Sequence, residues 1–133
     1  MERRAIEALL RRWLNEGIRA GNMMVFDELL LESVCDRSAG QVTYGGESFK
    51  RRARAVHDAF SSIEAQVDQL LIDGDRIAWR WALTGTHTGA FGGFAATGRR
   101  VTLTGVNFQL LTAGRVAEHW TLADMFGLAQ ALR

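Results

Sequence analysis

The chain has 133 residues, of which 47% are hydrophobic and 23% charged, and a net charge of +1. That length and balance fit one soluble domain with its own core. The near-neutral charge provides no field to draw the protein to nucleic acid or to an anionic membrane. The single cysteine, Cys35, excludes an internal disulfide and fits a reducing compartment. No apolar run is long enough to span a bilayer. Met1-Glu-Arg-Arg enters a helical pattern directly, without the apolar core and cleavage site of a signal peptide. A cytoplasmic location is therefore expected. Proline is absent, so turns rest on Gly, Asp and Asn.

Glu2 to Arg19 carries the strongest helical pattern, with Ala5, Ile6, Leu9, Leu10, Trp13 and Leu14 on one stripe. Arg3, Arg4, Arg11 and Arg12 fall largely outside it and read as a solvated face. Gly21-Asn22 breaks this helix, and Asn22 is expected to cap a second one from Met23 to Leu31. Ser33 to Tyr44 is irregular, with short strand signals at Val34-Cys35 and Gln41-Tyr44. A third helix is expected over Glu47 to Ser61. Phe49, Ala53, Val56 and Phe60 form its buried stripe, and Lys50, Arg51, Arg52 and Arg54 its exposed face.

After Ser61-Ser62 the period changes from helical to alternating. Ile63 to Ile72 reads as a strand closed by the turn signal Asp73-Gly74-Asp75. Arg76 to Thr88 is a second strand, with Trp79 and Trp81 on one face and Arg80 on the other. A glycine-rich connection, Gly89 to Gly98, leads to a third strand, Arg99 to Thr112. Ala113-Gly114 turns into a fourth, Arg115 to Ala123. Three helices followed by four hairpin-linked strands give an α+β order, with a curved antiparallel sheet wrapped over the helices.

In the last strand, alternation puts Glu118, Trp120, Leu122 and Asp124 on one face. Asp124 has two readings. It can cap the short helix that begins near Met125. It can also face apolar surroundings, which would raise its pKa and suit it to acid/base work. Asn107 and Gln109 lie two apart on one face of the third strand. In a buried pocket their amides can bind an oxyanion or a hydroxyl; in another register they form a solvent or interface stripe. Val106, Phe108 and Leu110 occupy the opposite face. His119 is opposite Asp124 and reads as a surface or interface residue, and His57 as structural. Cys35 reads as a small buried filler. The three histidines show no ligand spacing, so no metal site is indicated. Gly89 to Gly98 lacks the Lys-Ser/Thr of a phosphate loop. Trp13, Trp79, Trp81 and Trp120 are candidate core and pocket walls, Trp120 being the one expected to stack on a flat ligand.

Four stretches resemble the SnoaL-like polyketide cyclases, or ester cyclases. They are Arg80-Trp81-Ala-Leu-Thr-Gly85-Thr86-His87-Thr88-Gly89-Ala-Phe91, Ala96-Thr97-Gly98-Arg99-Arg100-Val101, Thr104-Gly105-Val106-Asn107-Phe108, and Gly114-Arg115-Val116 through Asp124 with Gly127-Leu128-Ala-Gln130-Ala-Leu132. Asp73-Gly74-Asp75-Arg76 is similar to the family's hairpin. The resemblance spans one domain over residues 1–133 and is weaker before Gly46. It implies the nuclear-transport-factor-two-like fold: a cone of curved antiparallel sheet packed on three N-terminal helices, closing an apolar pocket, often as a homodimer through the sheet. It also implies that Asp124 is the acid/base residue in that pocket. His87, in the family's Gly-Thr-His-Thr-Gly pattern at the end of the second strand, has two readings: a donor to a substrate oxygen near the pocket mouth, or a structural histidine bonding backbone. Two departures stand out. Arg37 occupies the place where the family commonly carries His, and the proline usual before Ala96 is absent. An inward Arg37 would pair with a carboxylate and lower its pKa.

The function implied is a small-molecule enzyme without metal, nucleotide or flavin. Asp124 would remove a proton beside a carbonyl, and the enolate would close a ring by aldol attack on a polyketide-like substrate. Isomerase, dehydratase or epoxide hydrolase chemistry on the same scaffold is the alternative. Arg80 and Asp124 resemble two members of an epoxide hydrolase's Asp–Arg–Asp set, but Ala82 stands in the place of the third. A non-catalytic ligand-binding or dimerisation module is the remaining reading.

Overall fold

The computed structural model describes every residue from Met1 to Arg133. The first apolar stripe forms α1 (Arg3–Arg11), which buries Ile6, Leu9 and Leu10. It continues without a break into a π-helical segment, Arg12–Arg19, where Trp13, Leu14 and Gly17 are buried. The wider turn is visible where the Ala20 N–H donates to the Asn15 carbonyl, five residues back, at 3.0 Å. Gly17 is required here, because a Cβ at this position would lie 2.7 Å from the Phe26 ring.

The second helix is shorter than its sequence pattern predicts. Helix α2 covers only Val25–Leu29, and Asn22 contributes its backbone carbonyl to Val25 N–H, not a side-chain cap. Leu30 is already extended and opens β1 (Leu30–Asp36). A 3-10 turn, Ser38–Gly40, leads to β2 (Thr43–Tyr44). Helix α3 (Glu47–Ala59) is followed by β3 (Phe60–Asp73), β4 (Arg76–His87), β5 (Arg100–Thr112), β6 (Arg115–Ala123) and α4 (Met125–Leu132).

The sheet has six strands in the order β2-β1-β6-β5-β4-β3. The four hairpin-linked strands pair antiparallel as the turn signals predict. β1, however, runs parallel to β6, so the sheet is mixed. This corrects the all-antiparallel expectation. Register shifts in β3 and between β5 and β6 mark bulges, which bend and twist strands. The outcome is an open curved sheet in an α+β, nuclear-transport-factor-two-like arrangement.

Cross-strand register decides which residues face the helices. Trp79 stands opposite Asn107, Trp81 opposite Gly105 and Leu83 opposite Leu103, all on the concave face. Twenty-five buried residues from the helices and this face form one apolar cluster. The convex face carries Val106, Phe108, Trp120 and Leu122, which remain exposed. No helix is long and apolar enough to cross a membrane.

Candidate active site

The concave face and the helices enclose a cavity of about 450 Å³. That is within the range of roughly 300–1,000 Å³ usual for small-molecule sites. Its walls are mostly apolar. Trp13, Leu14 and Ile18 come from the π-helical segment, Phe49, Ala53 and Val56 from α3, and Trp79, Trp81, Leu83 and Leu103 from the sheet. Trp13 sits edge-on to Phe26, Phe49 and Trp79 at 5.1–6.1 Å and stacks on His119 at 5.4 Å. Such aromatic pairs hold their rings in fixed orientations. Gly105 sets the place of Trp81: a Cβ there would fall 2.2 Å from the indole ring.

Polar side chains gather where β5, β6 and β1 meet. Trp81 Nε1–H donates to Asn107 Oδ1 at 3.1 Å, and Trp79 Nε1–H donates to Gln109 Oε1 at 3.0 Å. Gln109 Nε2 lies 3.0 Å from His119 Nδ1. Asn107, Gln109 and His119 are all buried, and Asn107 and His119 line the cavity. Thr121, opposite Asn107, donates its N–H to Ser38 Oγ at 3.0 Å.

Behind this row lies a buried carboxylate. Asp36 Oδ2 accepts from Ser48 Oγ at 2.7 Å and pairs with Arg52 Nη1 at 2.7 Å, while Oδ1 accepts from Ser38 N–H at 3.1 Å. Burial would push this carboxyl up, but the hydrogen bonds from Ser48, Ser38 and Arg52 outweigh it and hold it at about 2. Arg52 stacks over Phe49 at 5.3 Å, and its Nη2 is buried without a partner. His119, in register with Asp36, is held well below its ordinary value, at about 3. Burial is the main cause and the Arg52 charge adds to it, against the opposing pull of Asp36. His119 is therefore a neutral imidazole at physiological pH.

Not every residue expected in the site is there. Asp124 is exposed, and its Oδ1 accepts from Gly127 N–H at 2.8 Å as the N-cap of α4. It shares the face of Glu118, Trp120 and Leu122, as alternation requires, but that face is the convex one. Trp120 stands on the same outer surface and cannot stack on a ligand in the cavity. Arg37 also points outward, pairing with Glu118 at 3.0 Å beneath a cation–π contact with Trp120 at 5.7 Å. Arg80 and Asp124, the pair of the epoxide-hydrolase alternative, lie outside this cavity; they share a separate, more open hollow with Val106, Leu122 and Phe126, where Arg80 pairs with Asp68 at 3.5 Å. His87 is fully buried but outside the cavity. Its Nδ1 accepts from Thr97 N–H at 3.2 Å and lies 3.0 Å from Thr97 Oγ1, which ties the Gly-Thr-His-Thr-Gly motif to Ala96-Thr97-Gly98.

Asn107 and Gln109 face inward as one of their two sequence readings has it. The residues missed by sequence reasoning are His119, Asp36, Ser48 and Arg52. For Arg52 a signal was present: it follows Phe49 by three residues, and i,i+3 side chains share a helix face. Charge alone had assigned it to solvent.

A profile of the SnoaL-like polyketide cyclases matches residues 8–132. The chain belongs to this family. As a SnoaL-like protein it superposes on TsrD of Streptomyces laurentii with a TM-score of 0.88 at 23% identity, covering 99% of this chain and 97% of that one. IdmH of Streptomyces antibioticus gives a TM-score of 0.79 at 24% identity, covering 96% and 97%. A SnoaL-like polyketide cyclase of Agrobacterium tumefaciens gives 0.75 at 15% identity, covering 94% and 95%. At these identities the structural likeness establishes the fold. No curated protein matches the sequence. Within this SnoaL-like fold, the buried polar residues that β5 and β6 turn inward are Asn107, Gln109 and His119, not the strand-end carboxylate Asp124.

Proposed function

We propose that the protein is a cofactor-free enzyme that closes a ring in a small, largely apolar, polyketide-like ligand. A carbon made acidic by neighbouring carbonyls attacks a second carbonyl carbon. The observation that carries this reading is the pair of unpartnered donors, the Asn107 amide and the His119 ring, in a cavity whose walls are mostly apolar. As the carbon–carbon bond forms, the carbonyl electron pair moves onto oxygen. Donors already in place stabilise that charge, and removing one typically costs about 10²–10³-fold in rate. The oxygen then takes a proton from water, and the acidic carbon gives its proton to water or hydroxide. The aromatic walls restrict the ligand to folded shapes in which the reacting carbons meet. Asp124, capping α4 on the outside, has no part in this reading. Membership of the family supports the substrate class.

The test is the cyclisation of an unbranched poly-β-keto ester, followed by absorbance and mass. The protein should accelerate ring closure, His119→Phe and Asn107→Leu should abolish most of the gain, and Asp124→Asn should keep it. A rate no faster than buffer would sink the proposal.

We also propose a homodimer through the convex face. Val106 pairs with Leu122 and Phe108 with Trp120, making a contiguous exposed apolar surface. Light scattering at micromolar concentration should give twice the chain mass, and Phe108→Glu should halve it; a monomer mass for the unaltered protein would remove the idea.

A further inference from the structure

Two of the polar side chains that line the cavity, His119 and Asn107, have only donors left to offer. An indole N–H can only donate. The Gln109 atom 3.0 Å from Trp79 Nε1 is therefore its oxygen, and its nitrogen must be the atom facing His119 Nδ1. A ring nitrogen that receives a donated proton carries none of its own, so the His119 proton sits on Nε2. That N–H has no protein partner on a ring that lines the cavity. The same logic fixes Asn107. Its oxygen is taken by Trp81, and its NH₂ is left unpartnered. Both oxygens of Asp36, the carboxylate beside them, are taken by Ser38, Ser48 and Arg52.

We propose that the cavity takes its ligand as an oxyanion, an ionised enol or phenol, with His119 and Asn107 as donors and Gln109 as the positioning residue that fixes the His119 tautomer. This deepens, and rests on, the reading of the cavity as a small-molecule site. The Arg52 guanidinium, half-exposed and with one nitrogen unpartnered, adds positive potential to the same cavity.

The probe is 6-cyano-2-naphthol, whose phenol and phenolate absorb at different wavelengths. Bound to the protein it should ionise about one pH unit or more below the free probe. His119→Phe keeps a ring against Trp13 but loses the donor, and should bind the phenolate about ten- to a hundredfold more weakly. Naphthalene, which offers no oxygen, reports whether the variant's cavity is intact. Without any ligand, long-range proton–nitrogen correlation spectra should show the His119 proton on Nε2. Gln109→Glu should draw it to Nδ1 and weaken phenolate binding. A bound naphthol that ionises no more readily than the free one, or an Nδ1 proton in the unaltered protein, overturns this inference and leaves the small-molecule reading standing. If neither naphthalene nor the naphthol binds, both fall together.

Discussion

The two faces of the β5–β6 ladder carry opposite chemistry, and each is the reverse of what its composition suggests. The inner face holds Asn107, Gln109, His119 and Thr121; the outer face holds Val106, Phe108, Trp120 and Leu122. Buried amides and an imidazole are tolerated because their polar atoms bond to one another and to the Trp79 and Trp81 indoles, which removes most of the desolvation penalty. Exposed aromatics are tolerated because a surface patch costs little until it meets another surface. Alternation in a strand therefore separates two sets of side chains correctly without saying which set is inside. That decision belongs to the indoles on the neighbouring strand.

The largest test of this contrast is Asp36→Ala. It removes the acceptor shared by Ser48, Ser38 and Arg52 and leaves the guanidinium without its partner. Breaking a fully buried pair costs roughly 3–5 kcal/mol. Because Arg52 is part-exposed and screened, about 2–3 kcal/mol is expected in denaturant unfolding. A loss below about 0.5 kcal/mol, the size of an ordinary surface change, would mean that the inner polar row needs no support.

Acid sensitivity comes next. The His119 imidazole has its folded pKa lowered from 6.5 to about 3, so between those values the unfolded chain binds more protons. Stability from this group is complete above pH 6.5 and is lost as pH falls toward 3. Asp36, lowered from 3.8 to about 2, acts in the same direction in the window below. The fall in Tm between pH 7 and pH 4 should therefore be visibly shallower in His119→Phe than in the unaltered protein. Equal slopes would show that His119 protonates freely in the folded state.

The smallest effect concerns the outer face. If Asp124 is the cap of α4, Asp124→Leu should cost about 1 kcal/mol, and Asp124→Asn, also a good cap, should be nearly neutral. Thermal melts of the two variants check this. A Leu variant as stable as or more stable than the parent would return Asp124 to a buried setting.

Much of the fold was legible because its signals are local. The Asp73-Gly74-Asp75 turn, the Ala113-Gly114 turn and the alternation between them specify three hairpin-linked pairings. β1 was not legible, because Leu30-Leu-Glu-Ser-Val-Cys-Asp has no clean alternation and continues the helical pattern of α2. Its strand state depends on pairing with β6, more than eighty residues away in sequence. The site divides in the same way. Asn107 and Gln109 could be grouped from spacing alone. Asp36, Arg52 and His119 converge from β1, α3 and β6, and nothing short-range in the sequence links them. Arg37 stands where the family commonly carries His, but it lies just past the end of β1 and pairs outward with Glu118, while its neighbour Asp36 is the buried one.

The central claim, that ligands bind in the cavity on the inner face and not on the outer face with Trp120, can be read from four indole signals in one titration. Trp13, Trp79 and Trp81 line the cavity, and Trp120 lies outside it. In proton–nitrogen correlation spectra recorded while 6-cyano-2-naphthol is added, the indole N–H peaks of Trp13, Trp79 and Trp81 should move together, with that of Trp81 broadest in response because it bonds to Asn107. The Trp120 peak should stay in place. Movement of Trp120 with the other three unchanged would contradict the account and put the binding site on the convex face.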